Sequence, residues 1–183
     1  MNNIYYQNKY KIHTVRLDRD YSLPNHYFIT ICTNKRKMFF GSIKEGQIYL
    51  NQIGQSAVKM WLEIPKKFNN VILDEFIIMP NHIHGIIEII SYNCRDAPRR
   101  VSTPYVPLNK FGPLKKNSLS SIINHFKGNV KRWCNKNGFD YFLWQPLFYD
   151  HVIRNYDSLE NIRNYIINNP YNWERDRNNP KNI

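Results

Sequence analysis

The sequence predicts an α+β fold, with a ferredoxin-like, mostly antiparallel sheet, helices on one face and a C-terminal helix. Three observations predict it. Short β-branched and aromatic runs are interleaved with segments whose apolar residues repeat every 3.6 positions. Their order is strand, hairpin, helix, two strands, helix, strand, helix, for which the split βαβ arrangement is the natural candidate. The length, 183 residues, suits one domain whose core needs no covalent staples.

The elements follow in order. Residues 1–24 are polar, basic and tyrosine-rich, and read as an arm ending at Pro24. The domain proper spans residues 25–173, and residues 174–183 form a polar tail. His26 to Asn34 reads HYFITICTN, a strand composition. Gly41 and Gly46 around Ile43 and Ile48 suggest a short hairpin ending at Leu50. Asn51 can cap a helix in which Ile53, Ala57, Met60, Trp61, Ile64 and Phe68 share one side, with Pro65 ending or kinking it. Strands are expected from Val71 to Met79 and from His82 to Ile90, joined by the turn at Pro80-Asn81. Residues 91–117 carry prolines and basic residues and form a long loop, either functional or a solvated linker.

Ser118 caps the next amphipathic helix. Its apolar face is Leu119, Ile122, Ile123, Phe126, Val130 and Trp133, with Lys127, Lys131 and Arg132 off that face. Tyr141 to Asp150 leads into a short strand, His151 to Arg154. A last helix is expected to open at Asp157, with Glu160 completing a capping box and Pro170 stopping it.

Composition narrows the partners. Lys and Arg total 26 against 14 Asp and Glu, a net charge of +12, and the pI is about 9.6. Such an excess favours a polyanion, with nucleic acid ahead of a merely basic protein. Aromatic residues make up 15%, which fits both a packed core and stacking on unpaired bases. The three cysteines, Cys32, Cys94 and Cys134, form no CxxC pair, which argues against a zinc knuckle or a disulfide framework and suits a reducing cytoplasm. Apolar runs fall well short of a membrane span, and the N-terminus lacks a signal-peptide core.

Met79-Pro80-Asn81-His82-Ile83-His84-Gly85 is the segment that carries chemistry. In a strand, His82 and His84 face the same way and can converge on one ion, Ile83 points into the core, and Gly85 leaves room beside the pair for a bulky ligand. The spacing alone is a weak signal, and two ligands are too few for a site. Tyr165 and Asn169 are four apart and share a helical face beside the stripe of Leu159, Ile162 and Ile166. Asn169 could offer a carbonyl oxygen and Tyr165 a hydroxyl. Equally, both are ordinary residues at the rim and end of an amphipathic helix. Tyr149, Tyr156 and Tyr171 lack the four-residue partner.

A resemblance joins these pieces. The His82-Ile83-His84 segment after Met79-Pro80-Asn81, then Trp144-Gln145, Tyr149-Asp150-His151-Val152-Ile153-Arg154-Asn155 and Tyr165-Ile166-Ile167-Asn168-Asn169-Pro170, resemble the REP-associated tyrosine transposases. These belong with the single-tyrosine insertion-sequence transposases in the HUH superfamily. The strand Tyr27 to Asn34 fits the same pattern, so the match covers roughly residues 16–173.

The resemblance implies a metal-dependent single-stranded DNA endonuclease and strand transferase acting at hairpin-forming repeats. It implies Tyr165 as the nucleophile that forms a 5′-phosphotyrosine link, and a metal held by His82, His84 and Asn169. Many relatives place Gln at the last position. Two imidazoles and an amide oxygen suit Mg²⁺ or Mn²⁺.

Expected partners are single-stranded or hairpin DNA and no membrane, in a cytoplasmic, nucleoid-associated setting. Oligomeric state stays open between the homodimer of insertion-sequence relatives and a monomer. Lys127, Lys131, Arg132 and Arg154 are candidate phosphate contacts, and His151 is a candidate for packing near the site or touching DNA. The reading from another class is a DNA-binding protein that keeps the fold and no longer cuts.

Overall fold

The computed structural model describes residues 25–90 and 115–182, together with the backbone of two short strands, β1 (Tyr5–Tyr6) and β2 (Tyr10–Lys11). Apart from those two strands, the basic arm lies outside the described residues. So does the 91–117 loop up to residue 114. Among the described residues the order is β3 (Asn25–Cys32), β4 (Gly41–Lys44), β5 (Gln47–Leu50), α1 (Gln52–Leu62), α2 (Ile64–Lys67), β6 (Val71–Ile78), β7 (His82–Ile89), α3 (Leu119–Lys136), β8 (Tyr149–Ile153) and α4 (Tyr156–Asn168). This is the expected element order.

The main sheet runs β6-β7-β3-β8 and is antiparallel throughout. That places β7 and β3 in the centre and β8 at an edge, the ferredoxin-like order. β7 is buried along nearly its whole length because helices cover both faces of the sheet. On one face α1 and α3 pack on Ile29, Ile31, Ile83 and Ile87 around Trp61 and Phe126. The expectation of helices on one face holds for α1 and α3. α4 takes the opposite face, where Leu159 and Ile166 pack on Phe28, Ile86 and Ile153.

Local signals behave as their chemistry requires, with one exception. The Asn51 side chain accepts from Gly54 N, and Ser118 Oγ accepts from Ser121 N, so both predicted caps form. Pro65 sits in the first turn of α2 and separates it from α1. The expected start of α4 at Asp157 is corrected. Asn155 is the extended residue whose side chain accepts from Ser158 N, and Asp157 lies inside the first turn. Glu160 does not reach back as a capping box; it pairs with Arg163.

Candidate metal centre and nucleophile

Strand alternation sets the site. Ile83 and Gly85 point to the α1 side, and His82 and His84 point to the α4 side, both buried with ring centroids 4.5 Å apart. The room at Gly85 is therefore not beside the histidines. A Cβ there would lie 2.5 Å from Trp61 Cζ2 on the other face, so this glycine admits a tryptophan and not a ligand. The alternation that turns both histidines toward α4 turns Gly85 the other way, so the gap expected beside the pair opens on the opposite face.

The hydrogen bonds around His82 determine which nitrogen carries the proton. Asn81 Nδ2 donates to the carbonyls of Arg36 (3.0 Å) and Asn178 (2.7 Å), which turns Asn81 Oδ1 toward His82 Nδ1 at 2.8 Å. An amide oxygen can only accept, so His82 Nδ1 donates and Nε2 presents its lone pair. That Nε2 is buried without a hydrogen-bond partner. Burial, aided by the guanidinium groups of Arg36 and Arg177, lowers the His82 pKa to about 3. His84 is also held well below the ordinary histidine range, first by burial and then by His82. Its Nδ1 lies 2.9 Å from Thr30 Oγ1, and its Nε2 lies 3.3 Å from the Tyr165 hydroxyl.

α4 delivers Tyr165 and Asn169 together, as the four-residue spacing predicts. The Tyr165 ring is edge-on to Phe28 and inclined to His84, with centroids 6.1 and 5.2 Å away. Burial raises its hydroxyl pKa and so does the Asp176 carboxylate, whereas a hydrogen bond from the Asn169 side chain acts the other way. Asn169 is buried, and its Oδ1 has no hydrogen-bond partner.

The polar tail contributes a further group, one that no motif or spacing marks. Trp173 stacks on His82 with centroids 6.1 Å apart, and it anchors a segment that brings buried Asp176 to the pair. Asp176 Oδ2 is 3.8 Å from His82 Nε2. With His82 neutral, this is a lone pair facing a carboxylate and not an ion pair. Nitrogen or oxygen atoms of His82, His84 and Asp176 all lie within 4.8 Å of one another. The cluster thus gathers acceptor atoms, of which His82 Nε2 meets no donor, and Asn169 Oδ1, one helical turn from Tyr165, meets none either. Such a donor set fits a divalent cation, which would satisfy the orphaned lone pairs and the carboxylate charge. The available signal for Asp176 was Trp173, a large apolar residue in a polar tail that needs a surface to cover.

The remaining candidates lie elsewhere. Lys127, Lys131 and Arg132 are on α3, the helix on the far face of the sheet from the His pair. The Lys127 ammonium donates to the carbonyls of Gln145 and Leu147, and burial lowers its pKa to about 8. Lys131 donates to Asp140 O and Phe142 O, and Arg132 to Asn129 Oδ1. These groups hold the segment before β8 and their own helix. His151 is exposed on β8, and Arg154 lines a shallow groove of about 320 Å³ with His26, Tyr156 and Leu159.

No family model matches the chain. It is similar to an uncharacterized protein of Haemophilus influenzae, 38% identical over 161 residues that cover 86% of this chain and 87% of that protein. Among solved structures it is similar in fold to a REP-associated tyrosine transposase bound to a REP hairpin. There the TM-score is 0.54 at 19% identity, over 84% of this chain and 71% of that one.

Proposed function

We propose that this chain, which belongs to the same family as the uncharacterized Haemophilus influenzae protein, is a metal-dependent single-stranded DNA endonuclease and strand transferase with Tyr165 as nucleophile. The observation that carries the reading is the meeting of two elements. Buried acceptor atoms of His82, His84 and Asp176 gather within 4.8 Å of one another, a tyrosine hydroxyl lies 3.3 Å from His84 Nε2, and the unpartnered Asn169 Oδ1 sits one helical turn from that tyrosine. A structural core has no use for inward lone pairs without donors, since each costs desolvation. The fold shared with a transposase whose structure holds a REP hairpin supports the same reading, as does the charge of +12.

A divalent cation, Mg²⁺ or Mn²⁺, bound by the two histidines, Asp176 and Asn169 would supply positive charge to a phosphate oxygen. The chain's own residues have separate tasks. Asn81 and Thr30 hold the two imidazoles in orientation. Asn169 donates to the Tyr165 hydroxyl and favours its ionised form, against the burial that disfavours it. α4 holds the hydroxyl still, so that attack on phosphorus is a matter of positioning. In that attack the tyrosine oxygen bonds to phosphorus, the bond to the 3′ oxygen breaks, and the departing oxygen takes up a proton. The phosphotyrosine keeps the diester's energy, so a 3′-hydroxyl can reverse the step without ATP.

A denaturing gel tests the reading. Labelled single-stranded hairpin oligonucleotides incubated with the protein and Mn²⁺ should give a covalent adduct, which Tyr165→Phe should abolish. No adduct and no cleavage on any such substrate would leave a DNA-binding protein that does not cut. An adduct with Tyr165→Phe would assign the nucleophile elsewhere.

A further inference from the structure

Beside the site, the edge strand β8 presents two exposed rings on the same face as the histidines. Register places Tyr149 opposite Thr30 and His151 opposite Phe28, and on the other side of β3 the same rows continue to His84 and Ile86. Residues opposite one another share a face. Tyr149 is 53% exposed, and its row passes through His84, two strands away. Neighbouring strands are about 4.8 Å apart, which puts Tyr149 roughly 10 Å from His84 at the backbone. α4 leaves these rings open because it is drawn to the opposite edge, where Arg163 forks onto Asp74 of β6 at 3.0 and 2.6 Å.

A cation accompanies the Tyr149 ring. The Arg177 guanidinium lies 5.8 Å from the centre of the Tyr149 ring, and its charge also acts on Tyr165 and His84. One guanidinium thus covers the exposed ring and lies within electrostatic reach of Tyr165. The strand is held in place from behind. Lys127 binds the Gln145 and Leu147 carbonyls at an irregularity just before β8, where Leu147 has φ of 63°. An exposed tyrosine on a braced edge strand, capped by an arginine, has little value for folding. Successive aromatic rings along a strand with cations beside them are what unpaired bases and their phosphates require.

We infer that Tyr149 and His151 form a stacking rail for the unpaired nucleotides next to the scissile phosphate, with Arg177 taking a backbone phosphate between the rail and Tyr165. The inference rests on the single-stranded DNA reading above and adds where the strand runs. Alternate residues on a strand are spaced about 6–7 Å apart, close to the stride of an extended nucleotide. A base on Tyr149 would direct the chain along β8 and bring the adjoining phosphate to α4. Tyr149 acts here as a positioning residue and takes no part in bond making.

Binding and chemistry are measured separately. In EDTA, fluorescence anisotropy with a labelled hairpin carrying single-stranded flanks should show Tyr149→Ala weakening binding about ten-fold. Tyr149→Phe and Tyr149→Trp should bind as the wild type, and a blunt duplex should not distinguish any of them. In Mn²⁺ the alanine variant should raise KM for adduct formation more than it lowers kcat. An oligonucleotide carrying 5-iodouracil in the flank should cross-link to the peptide holding Tyr149. Equal affinity of Tyr149→Ala and wild type for the flanked hairpin would overturn the rail, whatever the nuclease assay shows. So would an equal loss on blunt duplex, or a Phe variant as weak as Ala. If the rail results hold and Tyr165 forms no adduct on any substrate, the cutting activity falls and the single-strand surface stands.

Discussion

Acid should destabilise the metal-free protein through His82, by an amount the structure sets. Burial beside Arg36 and Arg177 holds this histidine at about 3, whereas in an unfolded chain it titrates near ~6.5. Below about 6.5 the unfolded state binds a proton that the folded state refuses, so stability is lost as pH falls. Each pH unit between the two values costs about 1.4 kcal/mol, so moving from neutral pH to about pH 5 costs about 2 kcal/mol. The loss levels off only near the folded value of about 3. Urea unfolding in EDTA, run from about pH 8 to about pH 5 on the wild type and on His82→Gln, reads this directly. The difference in pH slope reads His82 together with the part of the His84 shift that His82 causes. The same pH dependence in both would refute the reasoning, because it would mean that His82 accepts a proton in the folded state and does not hold a buried, unpaired lone pair.

Other outcomes follow from the same geometry. Asp176→Asn should weaken Mn²⁺ binding about 10–100-fold, seen by titration calorimetry or by loss of the Mn²⁺ thermal shift, without unfolding the protein. Arg163→Ala and Asp74→Ala should each destabilise α4, and a double-mutant cycle by urea unfolding should give a coupling of about 1–2 kcal/mol for this forked, partly buried pair. Arg163 lowers the Asp74 pKa, so the coupling should be present at neutral pH and vanish as acid protonates Asp74. Lys127→Met should cost about 1–3 kcal/mol of stability by leaving the Gln145 and Leu147 carbonyls without their donor. It should leave the salt dependence of DNA binding unchanged, whereas a phosphate contact would reduce that slope by about one.

Much of this was legible from residue pattern. Periodicity located every strand of the main sheet and all three longer helices, because each buries a face and must show it in sequence. The pairings of His82 with His84 and of Tyr165 with Asn169 were legible for the same reason: each lies within one element whose geometry is known. What periodicity cannot do is bring elements together, and the site is mostly such meetings. Thr30 reaches His84 across a strand pairing, and Asp176 reaches His82 through a tail with no repeat to read. The basic residues of α3 show the same limit. Lys127 and Lys131 lie off the apolar stripe, as solvent-facing or phosphate-binding groups would, yet they curl onto backbone carbonyls that only the folded chain exposes to them.

The division of the apolar residues between the two faces bears on how the molecule opens. Among the described residues α4 packs through its own Leu159 and Ile166 onto Phe28, Ile86 and Ile153, whereas α1 and α3 share a far larger cluster. The histidines belong to a central strand that α1 and α3 lock from behind. Tyr165 belongs to a layer that, among the described residues, is held by that small cluster and the Arg163 fork. Amide protons of α4 should therefore exchange through a partial opening of lower free energy than global unfolding, with β7 still protected. One half of the site would then breathe on its own while the other stays as rigid as the sheet.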